Sequence, residues 1–269
     1  MHISARQSEL ALLPAAAADD AHAAKLAQQL DLPLLAAGID PVNCSAVEAV
    51  LIVENGAIRL QRTGPGAPGA VAVNFGSARM RHRRNSGARE MLGRAVGQDK
   101  KLALRVLDAT AGLGTDAFVL ADQGCEVLLC EREPVIAELL RCGLLAAVGS
   151  GDPWLAGVVK RMSLCALDAR EMPPGRLQAV DVIYLDPMFP QRRKSAAVKK
   201  EMALFQTLLE RSNDPQDADA VLLWALQQDT ARVVVKRPAK APVLAAQQPS
   251  HIISGKSVRY DVYVHRKLA

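Results

Sequence analysis

The sequence predicts an α/β fold in which helices cover both faces of a mostly parallel, seven-stranded sheet ending in an antiparallel hairpin. Three observations carry this prediction. Short apolar runs alternate with segments of helical spacing from Leu102 onward, and strands buried on both faces have this near-continuous apolar character. Aromatic residues make up only 3% of a chain that is 50% hydrophobic, so Ala, Leu and Val supply most of the core. The segment His251–Arg266 has the alternation of two paired strands with a turn near Gly255.

Residues 1–85 predict a separate, small α+β domain with a basic segment at its end. Ala21–Leu32 has helical spacing. Ala49–Arg62 has the pattern of two strands joined at Asn55-Gly56, a dipeptide typical of hairpin turns. A loop rich in Gly and Pro then leads to a short strand at Val71–Phe75. The basic segment follows, and we place the domain boundary inside it.

Residues 86–269 form the second predicted domain, in which strands and helices alternate. The predicted strands are Leu102–Asp108, Cys125–Glu131, Leu164–Asp168, Ala179–Asp186, Arg232–Pro238 and the two halves of the closing hairpin. The predicted helices are Gly114–Gly124, Pro134–Val148, Ser195–Arg211 and Asp217–Gln228. Pro134 stands in the first turn of its helix, where proline is tolerated, and Gly124 follows the end of the preceding one as a plausible C-cap.

A glycine turn joins the first strand of this domain to its helix. Asp108 ends the strand, and Gly112 and Gly114 allow the backbone to turn tightly and to approach a ligand without a Cβ in the way. In open α/β sheets ligands bind outside the carboxyl ends of the strands. Dinucleotide enzymes, nucleotide binders and methyltransferases all use a G-x-G turn, so it predicts a cofactor site without fixing the cofactor.

Acidic residues at the ends of three strands narrow the choice of cofactor. Glu131 ends the second strand roughly 20 residues after Asp108, where an acid accepts hydrogen bonds from a ribose diol. Asp168 ends the third strand, near the expected adenine edge. Ala117 stands where the nicotinamide fingerprint needs its third glycine. A cofactor with a ribose and a positive charge, such as S-adenosylmethionine, suits these acids better than the anionic pyrophosphate of NAD.

The fourth strand ends in the motif "DPMF", which is of the type found in enzymes that methylate exocyclic amines of bases. The Asp186 carboxylate and the carbonyl region at Pro187 can accept the two N–H groups of such an amine. Proline has no N–H, so this segment presents carbonyl groups. Phe189 can stack on the base, which must be flipped or unpaired to reach the pocket. We predict Asp186, Pro187 and Phe189 as catalytic residues.

Positive charge is gathered in three runs, at Arg79–Arg94, Arg192–Lys200 and Arg232–Lys240, in a chain of net charge +5 and pI near 9.0. The second and third runs directly follow strands four and five, so we expect them on the same rim as the catalytic residues. Such a patch would contact nucleic-acid phosphates, with binding that weakens steeply with salt. The predicted RNA-binding residues are Arg83, Arg84, Arg192, Arg193, Lys194, Lys199, Lys200, Lys236 and Arg237.

The five cysteines predict reduced thiols in a cytoplasmic protein. Their number is odd and no C-x-x-C pair occurs, which argues against a disulfide framework and against a zinc site. We therefore expect no metal. No apolar run reaches the roughly 18 residues that a membrane span requires. The segment Glu9–Ala18 is similar to a short signal-peptide core, but Glu9 and Pro14 interrupt it and acids follow, so a cleaved signal is the lesser alternative.

Several blocks resemble the ribosomal RNA small subunit methyltransferase J family. They are "DATAGLGTDAFVLA", "YLDPMFPQRRKSAAVKKEM", "RVVVKRP" and, upstream, "MRHRRNSGARE", and the resemblance covers about residues 70–269. It implies a cytoplasmic bacterial enzyme with a Rossmann-like class I methyltransferase fold, which uses S-adenosylmethionine to methylate a guanine N2 in 16S rRNA, free or in the small ribosomal subunit. The family's cofactor positions fall on Thr115, Asp116, Glu131, Arg132, Asp168, Ala169 and Asp186. Thr115 departs from the arginine that is familiar there.

Three alternatives to this hypothesis stay open at the level of sequence. The same motif type also serves adenine-N6 methylation of DNA or RNA. A catalytically silent RNA-binding or ribosome-assembly protein could retain the cofactor pocket. A nicotinamide oxidoreductase is disfavoured by Ala117 and by the lack of an obvious site for hydride transfer.

Overall fold

The computed structural model describes residues 10–84, 87–101, 103–187 and 215–268. Contacts between backbone positions divide the chain into two compact units. Among the described residues, the first unit ends at Val73 and the second begins at Asn74 and runs to the C-terminus.

The first unit holds a three-stranded sheet and one long helix. Its strands are β1 (Leu10–Pro14), β2 (Ala49–Glu54) and β3 (Ala57–Arg62), and its helix is α1 (Asp20–Leu30). The turn at Asn55-Gly56 has left-handed backbone angles at both residues, φ 50° and 80°, as the shortest hairpin loops require.

Two features of this unit differ from the predictions. All five residues of β1 are buried, and β1 pairs parallel to β2, so the apolar segment similar to a signal core is a sheet strand in this structure. The short strand predicted at Val71–Phe75 is reduced to a single bridge between Val71 and Leu60.

The second unit contains the predicted seven-stranded sheet. Its strands are β4 (Arg105–Asp108), β5 (Glu126–Cys130), β6 (Met162–Cys165), β7 (Val182–Leu185), β8 (Arg232–Pro238), β9 (His251–Ser254) and β10 (Val258–Val264). They lie in the order β6-β5-β4-β7-β8-β10-β9. Neighbours are parallel from β6 to β8, while β10 pairs antiparallel with both β8 and β9. The predicted fold class is confirmed, including the closing hairpin.

The helices of the second unit include several that the sequence did not predict. They are α2 (Ala78–Arg84), α3 (Gly87–Val96), α4 (Thr115–Asp122), α5 (Pro134–Val148), α6 (Pro153–Val159), α7 (Pro174–Leu177) and α8 (Pro215–Leu226). The basic segment, for which the sequence pattern predicts no secondary structure, forms α2 and α3. The helix predicted at Ser195–Arg211 lies outside the described residues.

Helix α2 packs inside the second unit. Met80 is buried, Arg84 forms an ion pair with Asp122 of α4, and Arg81 forms one with Asp152 at the start of α6. These contacts agree with the division between the compact units at residues 73 and 74, and the domain boundary after residue 85 stays a prediction from the sequence.

The order of the strands positions the site. Strand β4 lies at the centre of the parallel part, with β5 on one side and β7 on the other. In open α/β sheets the crevice at such a reversal of strand order, outside the carboxyl ends, is the place where ligands bind. The core beneath it is apolar, with Leu107, Ile183 and Val233 all fully buried.

Two further properties concern the described ranges only. No helix in them is both long enough and apolar enough to cross a membrane. They also contain no group of three or more His, Cys, Asp or Glu side chains arranged to hold a metal ion.

Candidate active site

Gly112 and Gly114, in the turn after β4, have different structural roles. Both have left-handed backbone angles, with φ of 53° at Gly112 and 70° at Gly114. A Cβ at Gly114 would lie 2.7 Å from Cδ1 of Leu140, so Gly114 permits close packing of the turn on α5. A Cβ at Gly112 would meet no atom within 4 Å. Gly112 therefore borders open space, where a ligand can approach the backbone.

The carboxylate of Glu131 is joined directly to this turn. Its Oε2 accepts a hydrogen bond of 2.7 Å from the N–H of Gly112, and its Oε1 accepts one of 2.9 Å from the N–H of Glu133. Burial raises the pKa of Glu131 above its ordinary value, although these two donors oppose the rise. The side chain is thus fixed beside Gly112, with lone pairs left on each oxygen that can accept from ribose hydroxyl groups.

Asp108 places a second carboxyl group under the same turn. It is 2% exposed and accepts a hydrogen bond of 3.2 Å from the N–H of Thr110. Burial raises its pKa well above the ordinary value, and the nearby Asp116, Asp186 and Glu131 raise it further. Four carboxyl groups at one crevice favour a cationic ligand. These acids and the open space at Gly112 fit S-adenosylmethionine, whose sulfonium and α-amino groups are positive.

Asp186 stands at the end of β7, fixed at both its backbone and its side chain. Its N–H donates to Oγ1 of Thr110 over 2.7 Å, and its Oδ2 accepts from Nζ of Lys236 over 2.6 Å. The side chain is 38% exposed, so it is anchored and yet reachable from the crevice. Pro187 follows and is buried. Phe189, the third predicted catalytic residue, lies outside the described residues.

A buried polar network behind Asp186 was not foreseen from the sequence. Oδ2 of Asp116 accepts from Nζ of Lys236 over 2.7 Å and from the hydroxyl group of Tyr184 over 2.6 Å. The other oxygen of Asp116 accepts from the guanidinium group of Arg83. Burial alone would raise the pKa of Asp116, but Lys236 and Arg83 outweigh it and hold this pKa below the ordinary value. Asp116, predicted as a cofactor residue, therefore serves first as the anchor of Lys236.

Lys236 and Arg237 were predicted as phosphate contacts, and their surroundings differ from that prediction. The ammonium group of Lys236 lies between two carboxylates. Arg237 is only 3% exposed and donates to the carbonyl oxygen of Pro242. Arg232, at the other end of β8, is 2% exposed. The side chains of Arg232 and Arg237 are buried in β8 and are not placed to contact a phosphate, whereas Lys240, at the end of the third basic run, is exposed. A lysine directly after the apolar run Val233–Val235 of β8, next to a strand that is followed by an acid, is the signal that could have revealed its internal partner.

The predicted adenine side is a cluster of ion pairs at the ends of β5 and β6. Arg132 contacts Asp217 at 2.7 Å and Asp168 at 3.6 Å, and Arg170 contacts Asp168 at 2.6 Å. Burial raises the pKa of Asp168, but Arg170 and Arg132 lower it below the ordinary value. Ala169 is buried beside Asp168. Strand β6 ends at Cys165, earlier than predicted, because Asp168 caps a short 3-10 turn instead.

Two predicted RNA contacts lie on α2. Arg83 reaches into the network of Asp116. Arg84 is 45% exposed, pairs with Asp122 at 3.0 Å and lies over the ring of Trp154, 4.8 Å from its centroid. Arg81 lies over the same ring at 5.0 Å. Thr115, at the start of α4, is half-buried. The other predicted RNA contacts, at Arg192, Arg193, Lys194, Lys199 and Lys200, fall outside the described residues.

Comparison with known proteins agrees with this geometry. Residues 37–265 match a family model of SAM-dependent methyltransferases. Ribosomal RNA small subunit methyltransferase J of Cellvibrio japonicus is 46% identical over 250 residues, 90% of this chain and 92% of that protein. The protein of the same name from Thioalkalivibrio sulfidiphilus is 48% identical over 243 residues, 89% of this chain and 91% of that protein.

A solved structure shows the same fold. The crystal structure of a SAM-dependent methyltransferase from Neisseria gonorrhoeae superposes with a TM-score of 0.69 at 32% identity, covering 94% of this chain and 95% of that one. The resemblance inferred from the sequence blocks is confirmed. With its glycine turn, its strand-end acids and these relatives, the chain belongs to the ribosomal RNA small subunit methyltransferase J family, and its cofactor is S-adenosylmethionine.

Proposed function

We propose that this protein acts in the cytoplasm to transfer a methyl group to the exocyclic N2 of one guanine in the 16S rRNA of the small ribosomal subunit. The observation that carries the proposal is the anchored Asp186. Its backbone is fixed to Thr110 and its carboxylate to Lys236, at the carboxyl end of β7 next to β4 and its glycine turn. The names of the relatives support ribosomal RNA as the substrate.

The chemistry requires positioning more than a strong base. S-adenosylmethionine supplies an electrophilic methyl group when it is bound. The lone pair of an exocyclic amine is delocalised into the base, which makes the nitrogen a weak nucleophile. Asp186 would accept one N–H of the amine and the Pro187 carbonyl the other, which orients the nitrogen and favours localising its lone pair. Holding reactants in this way accounts for a large part of the rate of two-substrate reactions.

The RNA would reach the site along basic surfaces. Arg81 and Arg84 of α2 are more than two-fifths exposed and lie over one tryptophan ring. Although each has an acidic partner, an arginine so placed keeps donors for a phosphate. Arg83 joins α2 to the active-site network. We also retain the segment with Arg192, Arg193, Lys194, Lys199 and Lys200 as a predicted RNA contact, on the evidence of its sequence alone.

The test is methylation of 16S rRNA taken from cells that lack this protein. Asp186→Ala should abolish methyl transfer while the protein stays folded. Asp229→Ala is the matched control, because Asp229 is 93% exposed and precedes β8, at the edge of the sheet away from the site. Unchanged transfer by the Asp186→Ala variant would overturn the assignment.

Nucleoside mass spectrometry of the methylated RNA identifies the product. N2-methylguanosine supports the proposal, whereas N6-methyladenosine would favour the alternative methyltransferase. If calorimetry detected no binding of S-adenosylmethionine, the silent RNA-binding protein would be favoured.

A further inference from the structure

Lys236 is a partly buried cation that contacts the carboxylate of the proposed catalytic acid. In the parallel pairing of β7 with β8, Leu185 lies opposite Val235, so Asp186 and Lys236 are the next residues along each strand. The Nζ of Lys236 lies 2.6 Å from Oδ2 of Asp186. The lysine side chain is 19% exposed, which places this contact beneath the surface of the crevice.

The position of Lys236 is itself fixed by other elements. Its Nζ also lies 2.7 Å from Oδ2 of Asp116 on α4. Asp116 is held in turn by the hydroxyl group of Tyr184 on β7 and by Arg83 on α2. Three elements besides β8 therefore determine where the ammonium group stands, and a buried network in which every member has partners is rigid.

We propose that Lys236 is a positioning residue for methyl transfer, which holds the Asp186 carboxylate in the orientation that accepts an N–H of the target amine. This inference rests on the proposed role of Asp186. Lys236 donates a hydrogen bond to Oδ2 of Asp186. Within the described part of the chain, Oδ1 of Asp186 makes no hydrogen bond. The contact thus leaves Oδ1 as the oxygen that can accept an N–H of the amine in the crevice.

The charge of Lys236 has a second effect on the same carboxylate. Asp186 is useful as an acceptor only when it is ionised, since a protonated carboxyl group presents a donor to the amine. Burial raises the pKa of Asp186 above its ordinary value, and among its neighbours Lys236 opposes this rise most strongly. The charged and titratable groups that face Asp186 are Lys236 on β8, Asp116 on α4, Arg83 on α2, Asp108 on β4, Tyr184 on β7 and Tyr260 on β10.

The experiment compares Lys236→Met and Lys236→Arg with Lys160→Met. Lys160 is exposed and precedes β6, at the amino end of the parallel strands, so its replacement removes the same charge away from the site. We expect Lys236→Met to lower kcat about 100-fold, because a displacement of about 1 Å has such an effect, while KM for S-adenosylmethionine changes less than about threefold. Thermal unfolding shows whether each variant is folded.

The pH profile of kcat separates positioning from simple support of the fold. Removal of Lys236 raises the pKa of Asp186 further, so the acidic limb of the profile should move to higher pH in Lys236→Met. Lys236→Arg retains the charge at a changed distance, and it should lower kcat without moving that limb. A folded Lys236→Met variant with an unshifted limb would overturn the inference.

Two further outcomes keep the inference separate from the proposed function. If Asp186→Ala is inactive but Lys236→Met has the kcat of the wild type, only the role of Lys236 is refuted. If Asp186→Ala is fully active, the proposed function fails first. If Lys236→Met does not fold, Lys236→Arg is used for the test. An unchanged kcat in the folded Lys236→Arg variant would refute the positioning role.

Discussion

Glu131 illustrates, at the scale of a single residue, how a buried acid can be prepared for a ligand. Both of its oxygens accept hydrogen bonds from backbone N–H groups, at 2.7 and 2.9 Å. Those donors belong to Gly112 and Glu133 and cannot be moved without moving the chain. The side chain therefore has one orientation, and its remaining lone pairs can accept hydrogen bonds from the hydroxyl groups of a ribose.

This arrangement predicts the effect of Glu131→Gln. The amide replaces one acceptor by an NH₂ group, which would face a backbone N–H donor in either orientation. We expect binding of S-adenosylmethionine to weaken about 10- to 100-fold, as loss of a charged acceptor costs about 1.5–3 kcal/mol. Isothermal calorimetry measures the change.

Glu126→Gln is the matched control for this substitution. Glu126 begins β5, the strand that Glu131 follows, and its side chain is exposed at the opposite end of the strand. Its replacement should leave affinity for the cofactor unchanged. Equal affinities of the Glu131→Gln variant and the wild type would contradict the role given to this carboxylate.

Helix α2 connects, at the scale of an element, the surface to the active site. Arg83 turns inward to Asp116, whereas Arg81 and Arg84 lie against Trp154 on the outside. Trp154 also packs edge-on against Phe118 of α4, with ring centroids 5.7 Å apart. The exposed arginines are therefore backed by packed aromatic rings, and this packing would reduce the entropy lost in the proposed binding of a phosphate.

A double substitution of Arg81 and Arg84 by Ala tests whether α2 contacts RNA. Each lost phosphate contact should reduce the slope of log affinity against log salt by about 0.7–0.9. We expect weaker binding of rRNA, a shallower salt dependence and an unchanged affinity for S-adenosylmethionine. Filter binding at several salt concentrations provides the measurement.

Arg266→Ala is the comparison variant for α2. Arg266 is also half-exposed and paired with an acid, but it follows β10, whose end lies beside the start of β8 and so away from the crevice. If the double variant kept the full salt slope, α2 would not be part of the RNA-binding surface.

The elements that the sequence predicted well are those with a strong local signal. The Asn55-Gly56 turn, the apolar strand β7 and the hairpin of β9 and β10 were foreseen because dipeptide geometry and alternation act over a few residues. Strand β1 was missed because its apolar run is equally typical of a signal core, and only pairing with β2 makes it a strand. Helix α2 was missed because its arginines outnumber its apolar residues, and its contacts with Asp122 and Asp152 are distant in sequence.

The sequence predicted where the acidic residues of the candidate site lie, but it did not predict the surroundings of Lys236. Asp108, Glu131 and Asp186 each follow an apolar strand, and the carboxyl ends of parallel strands meet at one edge. Lys236 was assigned to the surface because it stands in a basic run. Its burial depends on the order of the strands, which places β8 beside β7 and which no local pattern of residues specifies.

The whole molecule separates its charges in a way that suits two unlike ligands. The chain carries a net charge of +5, which favours approach of a polyanion such as RNA. The crevice, by contrast, gathers Asp108, Asp116, Glu131 and Asp186, with Lys236 and Arg83 as the cations that contact them. The acids of the crevice thus favour a cationic cofactor, whereas the net positive charge of the chain favours an anionic substrate.

This separation predicts that binding of S-adenosylmethionine releases protons. The pKa values of Asp108 and Glu131 are raised by burial above the ordinary 3.8 and 4.5, so each keeps its proton to a higher pH in the free protein than an ordinary carboxyl group does. A cation nearby favours the ionised carboxylates, and these protons leave on binding. Affinity should therefore rise as pH increases through the raised pKa values of these two carboxyl groups. Asp116, whose pKa is lowered, ionises at a lower pH than an ordinary carboxyl group and contributes no proton there.

Calorimetry in buffers of different ionisation enthalpy counts the protons released. Asp108→Asn should release fewer protons than the wild type. S-adenosylhomocysteine, which has no sulfonium charge, should also release fewer than S-adenosylmethionine on the unaltered protein. The two ligands share their ribose and adenine, so the difference between them isolates the charge on sulfur. Equal proton release by both ligands would show that the acids at the strand ends respond to hydrogen bonds rather than to the positive charge of the cofactor.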